Sequence, residues 1–194
     1  MQAYPNTLLM CCPTGDGAAA IVLVSEKKLK TLDPDVRKRA VKISASVMTS
    51  DPWVEEGQVQ PDVNTLTRLA ADQAYEESGV DPQDLNLVEL HDCFATAELI
   101  HYDNLRLCEP GGAGDFIDSR GPWRDGRIPV NVSGGLISKG HPIAATGVAN
   151  VYEIVTHLRG EAGDRQIEGA TVGLAHVIGL GSTCAVHILE RAAT

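Results

Sequence analysis

Three features of the 194-residue sequence predict an α/β fold in which helices cover a mixed sheet. Short apolar or alternating stretches take turns with longer stretches of helical period, in the order strand, helix, strand, helix, strand, helix, strand, strand. Gly- and Pro-rich segments punctuate that order. The polar, chemistry-bearing residues gather just past the ends of the apolar stretches, where an α/β sheet presents its functional groups.

Each element has its own reason. "GAAAIVLVSEKK" (Gly17 to Lys28) opens with small residues and becomes a short apolar run, the pattern of a strand buried on both faces and ending at Ser25. No partner strand neighbours it in sequence. A polar, Pro-bearing stretch from Glu26 to Arg39 separates it from "AVKISASVMTS" (Ala40 to Ser50), whose alternation predicts the first strand of a new unit. From Asp62 to Ser78, Val63, Leu66, Ala70 and Ala74 fall on one helical face, and Gly79 supplies the stop. "NLVELHDCF" (Asn86 to Phe94) predicts the next strand, followed by a helix on which Ala97, Ile100, Leu107 and Cys108 share a face. The segment Glu109 to Arg127 reads as an irregular loop, long for a connection. "IPVNVS" (Ile128 to Ser133) predicts a short strand, and Pro142 to Leu158 a helix lined by Ile143, Gly147, Val151, Val155 and Leu158. "ATVGLAHVIGLGSTCAVHILER" closes the chain as two antiparallel strands broken at Gly179 and Gly181.

Composition narrows the function classes. A formal net charge of -10 opposes a surface for phosphate backbones, so no nucleic-acid partner is expected. Five cysteines, an odd number with Cys11 and Cys12 adjacent, do not form a disulfide framework, which points to reduced thiols in a cytosol-like compartment. No segment reads as a membrane span. The opening residues lack the basic and apolar regions of a leader and "RAAT" is not a peroxisomal address, so the expected location is cytoplasmic.

Two spots carry the chemistry. In "NVSGGLISKGHPIAATG" (Asn131 to Gly147), a turn needs the glycines but has no use for His141, and Pro142 suits the first turn of a helix. A helix N-terminus disfavours positive charge, so this imidazole is expected to stay neutral, able to accept a thiol proton or to donate to a carbonyl oxygen. In "HDCF", His91 and Cys93 alternate along a strand and share one face, while Asp92 and Phe94 point to the other. Taken singly, His91 reads as a core histidine and Cys93 as a small buried hydrophobe. Taken with His141, they read as a thiol acting beside two imidazoles, either as nucleophile or as proton shuttle.

At these residues the chain resembles the thiolase family, and within it the sterol-carrier-protein type, marked by "HDCF"; "SGGLISKGHPIAATG" and "HVIGLGS" are similar to that group too. The resemblance runs from about Cys12 onward. It implies a βαβαβαββ domain with a mixed five-stranded sheet and chemistry on acyl-CoA thioesters, with no metal and no permanently bound cofactor, coenzyme A being a substrate. It makes His141 the histidine that activates the nucleophile and helps hold the thioester oxygen. It puts His91 in the place of the oxyanion-hole asparagine and gives Cys93 the task of moving the α-proton. Other thiolases place that acid/base cysteine in the closing hairpin, where this chain has Val177, while Gly179 matches the glycine whose N–H lines a second oxyanion hole.

Length is the departure. The resemblance makes residues 1–39 a remnant of an N-terminal thiolase half, its last strand and linker, and residues 40–194 the C-terminal domain. The nucleophilic cysteine belongs to the first half; Cys11 and Cys12 match a structural "CCP" stretch. The chain then reads as a subunit of a split enzyme, a truncated product or a relic. The leading expectation is an acyltransferase half that condenses or cleaves 3-ketoacyl-CoA, binding acyl-CoA and CoA and partnered by a complementary N-terminal half or by a second copy. A steroid side-chain aldolase-like homologue and a non-catalytic acyl-CoA- or partner-binding subunit are the alternatives.

Overall fold

The computed structural model describes residues 4–50, 63–179 and 183–192. Its strands are β1 (Val41–Ser50), β2 (Leu87–Glu89), β3 (Val172–Gly179) and β4 (Thr183–Arg191). Its α-helices are α1 (Glu26–Leu29), α2 (Pro34–Lys38), α3 (Val63–Ser78), α4 (Ala95–Asn104), α5 (Ala113–Asp118), α6 (Gly135–Lys139) and α7 (Thr146–Leu158). The strands form one mixed sheet in the order β1-β4-β3-β2. β4 lies antiparallel to both β1 and β3, and β2 runs parallel to β3. None of the described helices is long and apolar enough to cross a membrane.

Strand alternation divides the core in two. Val88, Leu174, Val186 and Ile188 face one layer, where they pack with Leu66 and Ala70 of α3 and Tyr102 of α4. Leu87, Ala175 and Leu189 face the other, against Val151, Ile154 and Leu158 of α7. At Gly173 a methyl group would come within 2.6 Å of Ile154, so α7 rests directly on the β3 backbone.

The helix at Asp62 to Ser78 is present from Val63, with Leu66, Ala70 and Ala74 buried as the period requires; Asp62 lies outside the described residues. The closing antiparallel pair is β3 and β4, in register from Val172 opposite Glu190 to Gly179 opposite Thr183. Gly181 also lies outside the described residues.

Several expectations are corrected. Among the described residues the sheet has four strands, not five, because Ile128 to Ser133 contributes only one bridge, Val88 to Val130. Pro129 has no N–H to give a ladder, and Asn131 turns to a φ of 51°, which ends the extended run. Ala18 to Val24 forms no ladder among the described residues, and Val22 is 90% exposed. An apolar run cannot bury itself without a neighbouring strand. The Glu26 to Arg39 stretch holds two short helices, started by the Ser25 and Asp33 side chains, which accept from the Lys28 and Asp35 N–H groups. The Glu109 to Arg127 loop contains α5, anchored by Phe116 edge-on to Tyr102 at 5.2 Å.

Helix α4 stops at Asn104, so Leu107 and Cys108 lie beyond it, and its buried face is His101, Tyr102 and Asn104, not Ala97 and Ile100. The strand expected over Asn86 to Phe94 is a ladder only from Leu87 to Glu89. The helix expected from Pro142 starts at Thr146 and leaves Ile143 76% exposed; its buried residues include Asn150, Val151, Ile154 and Leu158.

Where the ladder stops, side chains replace it. The Ser133 N–H and hydroxyl both donate to the Glu89 carboxylate, at 3.0 and 2.6 Å. Leu90 N–H donates to Asn131 Oδ1 at 2.9 Å. The Asp92 carboxylate accepts from the amides of Leu136 and Ile137 in α6, at 2.7 and 3.3 Å. Gly135 makes the last contact possible, since a Cβ there would lie 2.1 Å from Asp92 Oδ2 and its φ is +60°. Gly135→Ala is therefore expected to lower stability by about 2–3 kcal/mol through overlap and backbone strain. A urea titration would show this as a lower midpoint at unchanged slope, and an unchanged midpoint would refute the contact.

Candidate active site

His141 sits between α6 and α7. Its N–H donates to Pro13 O at 3.0 Å, and it pairs with Thr14 in a parallel bridge, so the N-terminal segment runs along it. Its ring Nδ1 lies 2.7 Å from the Thr146 hydroxyl, which in turn lies 3.1 Å from Pro142 O. A hydroxyl has one proton. With that proton directed to Pro142 O, Thr146 accepts from His141 Nδ1–H, and Nε2 is left with its lone pair. Thr146 gave no signal in the sequence beyond standing five residues after His141.

The expectation that a helix N-terminus keeps His141 neutral is corrected, because α7 begins five residues later, at Thr146. The imidazole is still held below its ordinary value, by burial, with the Asp92 carboxylate pulling the other way.

His91 and Cys93 lie beyond β2, in irregular chain on either side of Asp92. The two histidines meet: the His91 and His141 rings are 5.0 Å apart, edge to face at 82°. Burial brings His91 down to about 4, and the neighbouring His141 adds to the shift. Cys93 is half-buried, and burial, then the Cys12 thiol and Asp92, push it up to about 11. Cys12 N–H donates to Cys93 O at 2.9 Å, which joins the "CCP" stretch to this loop.

Two further imidazoles stand behind the pair. His91 N–H donates to His176 Nδ1 at 3.4 Å, and the His176 ring is 4.5 Å from that of His101. Both are buried; burial holds His101 at about 4 and His176 well below the ordinary value. Asn150 of α7 donates to His176 O at 3.2 Å and fixes the strand behind His91. The sequence reading singled out neither His101 nor His176. The HVIGLG motif contained the signal for His176, whereas His101 sits mid-helix with no local mark.

No described contact ties the Cys93 thiol to the histidine rings, and none ties Gly179. It is exposed at the end of β3, opposite Thr183. Val177 packs on Gly147 in the first turn of α7, where a Cβ would come within 3.3 Å of it. Among the described residues, no group of His, Cys, Asp and Glu is arranged to hold a metal ion.

Residues 56–191 match the family described as "Thiolase C-terminal domain-like". Sterol carrier protein 2 of Bos taurus is 44% identical over 187 residues, covering 95% of this chain and 34% of that protein. An acetyl-CoA acetyltransferase of Methanothermobacter thermautotrophicus is 40% identical over 196 residues, covering 98% of this chain and 49% of the other. The chain thus spans between a third and a half of these curated relatives. Among solved structures, a chain of an Ltp2-ChsH2(DUF35) aldolase superposes with a TM-score of 0.78 at 22% identity, over 100% of this chain and 50% of that one, a likeness of fold alone. With this fold, the family match over most of its length and the HDCF motif in place, the chain belongs to the thiolase superfamily as a C-terminal domain of the sterol-carrier-protein-2 type.

Proposed function

We propose that this chain supplies the proton-handling part of a thiolase-type active site acting on 3-ketoacyl-CoA, with coenzyme A as substrate. The nucleophilic cysteine would come from first-half sequence outside these 194 residues. The observation that carries the reading is the edge-to-face His91 and His141 pair, with burial lowering both imidazoles and raising the Cys93 thiol two residues from His91. The exposed apolar run Ile21 to Val24 supports a partner half, or a second copy, whose sheet would cover it.

In the cleavage direction His141 Nε2 takes the proton of the incoming cysteine thiol, which attacks the ketone carbonyl. The bond between C2 and C3 breaks, and its electron pair moves onto the thioester oxygen as an enolate. His91 and the now protonated His141 donate to the oxyanions that form, with the Gly179 N–H at the second hole. Cys93 gives its proton to C2, releasing acetyl-CoA. The thiol of a new CoA returns a proton to Cys93 and attacks the acyl-enzyme carbonyl. The bond from that carbon to the nucleophilic cysteine breaks, the leaving thiolate takes back the proton held by His141, and the shortened acyl-CoA departs. Donors fixed in advance where charge develops supply most of the rate.

In the complete assembly, whether one polypeptide or two, Cys93→Ser is expected to abolish condensation and cleavage, because a hydroxyl is too weak an acid/base near neutrality, yet to spare transfer of an acyl group onto the nucleophile. His141→Ala is expected to slow acylation itself, by on the order of a hundredfold or more. Single-turnover acylation measured beside steady-state turnover separates the two. Near-normal turnover in Cys93→Ser, or equal acylation defects in both variants, would sink the assignment.

Neutral imidazoles also set an acid limit. His91 and His101 are near 4 in the folded chain against an ordinary 6.5, so the unfolded chain binds more protons between those values. Their stabilisation is complete above about pH 6.5 and is lost as pH falls toward 4, at roughly 2 kcal/mol each between pH 7 and 5. The raised carboxyls Glu89, Asp92 and Glu98 act oppositely, gaining stability on protonation, and offset part of this toward the acid end. Urea midpoints are expected to fall from pH 7 to pH 5, and His101→Asn to flatten the fall. A midpoint that stays level in the unsubstituted chain would refute neutral burial of these rings.

A further inference from the structure

We propose that Cys12 and Cys93 form a reversible disulfide, a modification site that locks the HDCF segment in an inactive form when a low-molecular-weight disulfide oxidises the pair. The geometry is that of a two-residue antiparallel crossing. Cys11 bridges Phe94 in antiparallel sense, which places Cys12 across from Cys93, and Cys12 N–H donates to Cys93 O at 2.9 Å. Residues facing each other in such a pair have Cα atoms about 5.5 Å apart and side chains on the same face. That separation lies inside the range a disulfide spans without backbone movement.

The neighbours choose the partner. Cys11 is adjacent in sequence, but its side chain turns the other way, with Sγ 3.5 Å from Thr7 O. Cys184 is buried beside Thr67, its Sγ 3.8 Å from that hydroxyl. Cys108 lies beyond α4, packed at the edge of the α3-side core. Cys12 and Cys93 are half-buried, so a small disulfide reaches one of them without unfolding. Burial raises both thiols.

The chemistry balances. The Cys12 thiolate attacks one sulfur of the oxidant RSSR, forming a mixed disulfide and releasing RS⁻, which takes up the Cys12 proton. Cys93 then attacks the Cys12 sulfur, closes the intramolecular bond and releases the second RSH. The bond consumes the Cys93 thiol and ties it to the strand that also pairs with His141 through Thr14. The effect on turnover rests on the role proposed above for Cys93, whereas formation of the bond does not.

Trypsin separates the relevant cysteines. Cys11 and Cys12 fall in the peptide Met1 to Lys27, Cys93 in Leu69 to Arg106, Cys108 in Leu107 to Arg120 and Cys184 in Gln166 to Arg191. The native 194-residue chain, incubated with oxidised glutathione and then alkylated, is expected to lose two of its five titratable thiols. Non-reducing mass mapping should find Met1 to Lys27 joined to Leu69 to Arg106, with release on adding dithiothreitol. Cys12→Ser should abolish that species and Cys11→Ser should keep it. Stable glutathione adducts without the linked peptide, or a link that survives in Cys12→Ser, would overturn the proposal. In the complete assembly, oxidation should reduce turnover on the order of a hundredfold, reversed by dithiothreitol and absent in Cys12→Ser. A linked peptide with undiminished turnover would instead overturn the proton-shuttle role of Cys93 and leave the disulfide standing.

Discussion

The Asp92 carboxylate holds the site together. It reaches across 44 residues of chain to the Leu136 amide and 45 to the Ile137 amide, and both bonds form only because Gly135 presents no side chain there. Without that clasp nothing regular would join the HDCF loop to the loop before His141, because the parallel ladder ends at Glu89. The Glu89 contact with Ser133 and the Asn131 contact with Leu90 extend the same seam. Three polar side chains therefore do what strand pairing does elsewhere in the sheet. They also satisfy amides that would be costly to bury unpaired.

Burying carboxyl groups along this seam has an electrostatic consequence. Burial raises Glu89, and Lys139, 3.7 Å from its Oε2, opposes the rise. Asp92 is raised by burial and lowered by the two amides it accepts from. The Asp92 carboxylate still draws a proton toward His141, and burial of the imidazole outweighs it. The neutral form of His141 therefore follows from burial and not from the N-terminus of α7.

Much of this was legible in the sequence where the determinants are local. The helical period of Leu66, Ala70 and Ala74 and the closing pair around Gly179 follow from spacing, and the HDCF and GHP motifs carried the family. Elements set by distant partners were not legible. Alternation through Asn86 to Phe94 looks like strand all the way, yet Leu90 gives its N–H to a side chain 41 residues away, and the ladder ends. Pro142 looked like a helix start, but Gly140 at φ 90° and the turn after it postpone the helix to Thr146. In the glycine-rich loop the informative residue was Phe116, whose burial against Tyr102 makes a helix worth forming there. The meeting of His91 with His141 was expected from the motifs alone, whereas the His176 and His101 rings behind them depend on how β3 and α4 pack, which no short spacing encodes.

Burial acts with opposite sign on the two residue types of the HDCF segment. It moves the Cys93 thiol up to about 11 and the His91 imidazole down to about 4, which opens a gap of roughly seven units where free side chains differ by about two. A thiol and an imidazole so far apart do not exchange a proton to form the thiolate and imidazolium pair that activates a cysteine nucleophile. On the role proposed for it, Cys93 would keep its proton until a stronger base arrives, and a carbanion-like carbon beside a thioester would be such a base. The surroundings that hold the proton on Cys93 therefore suit the donor role proposed for it.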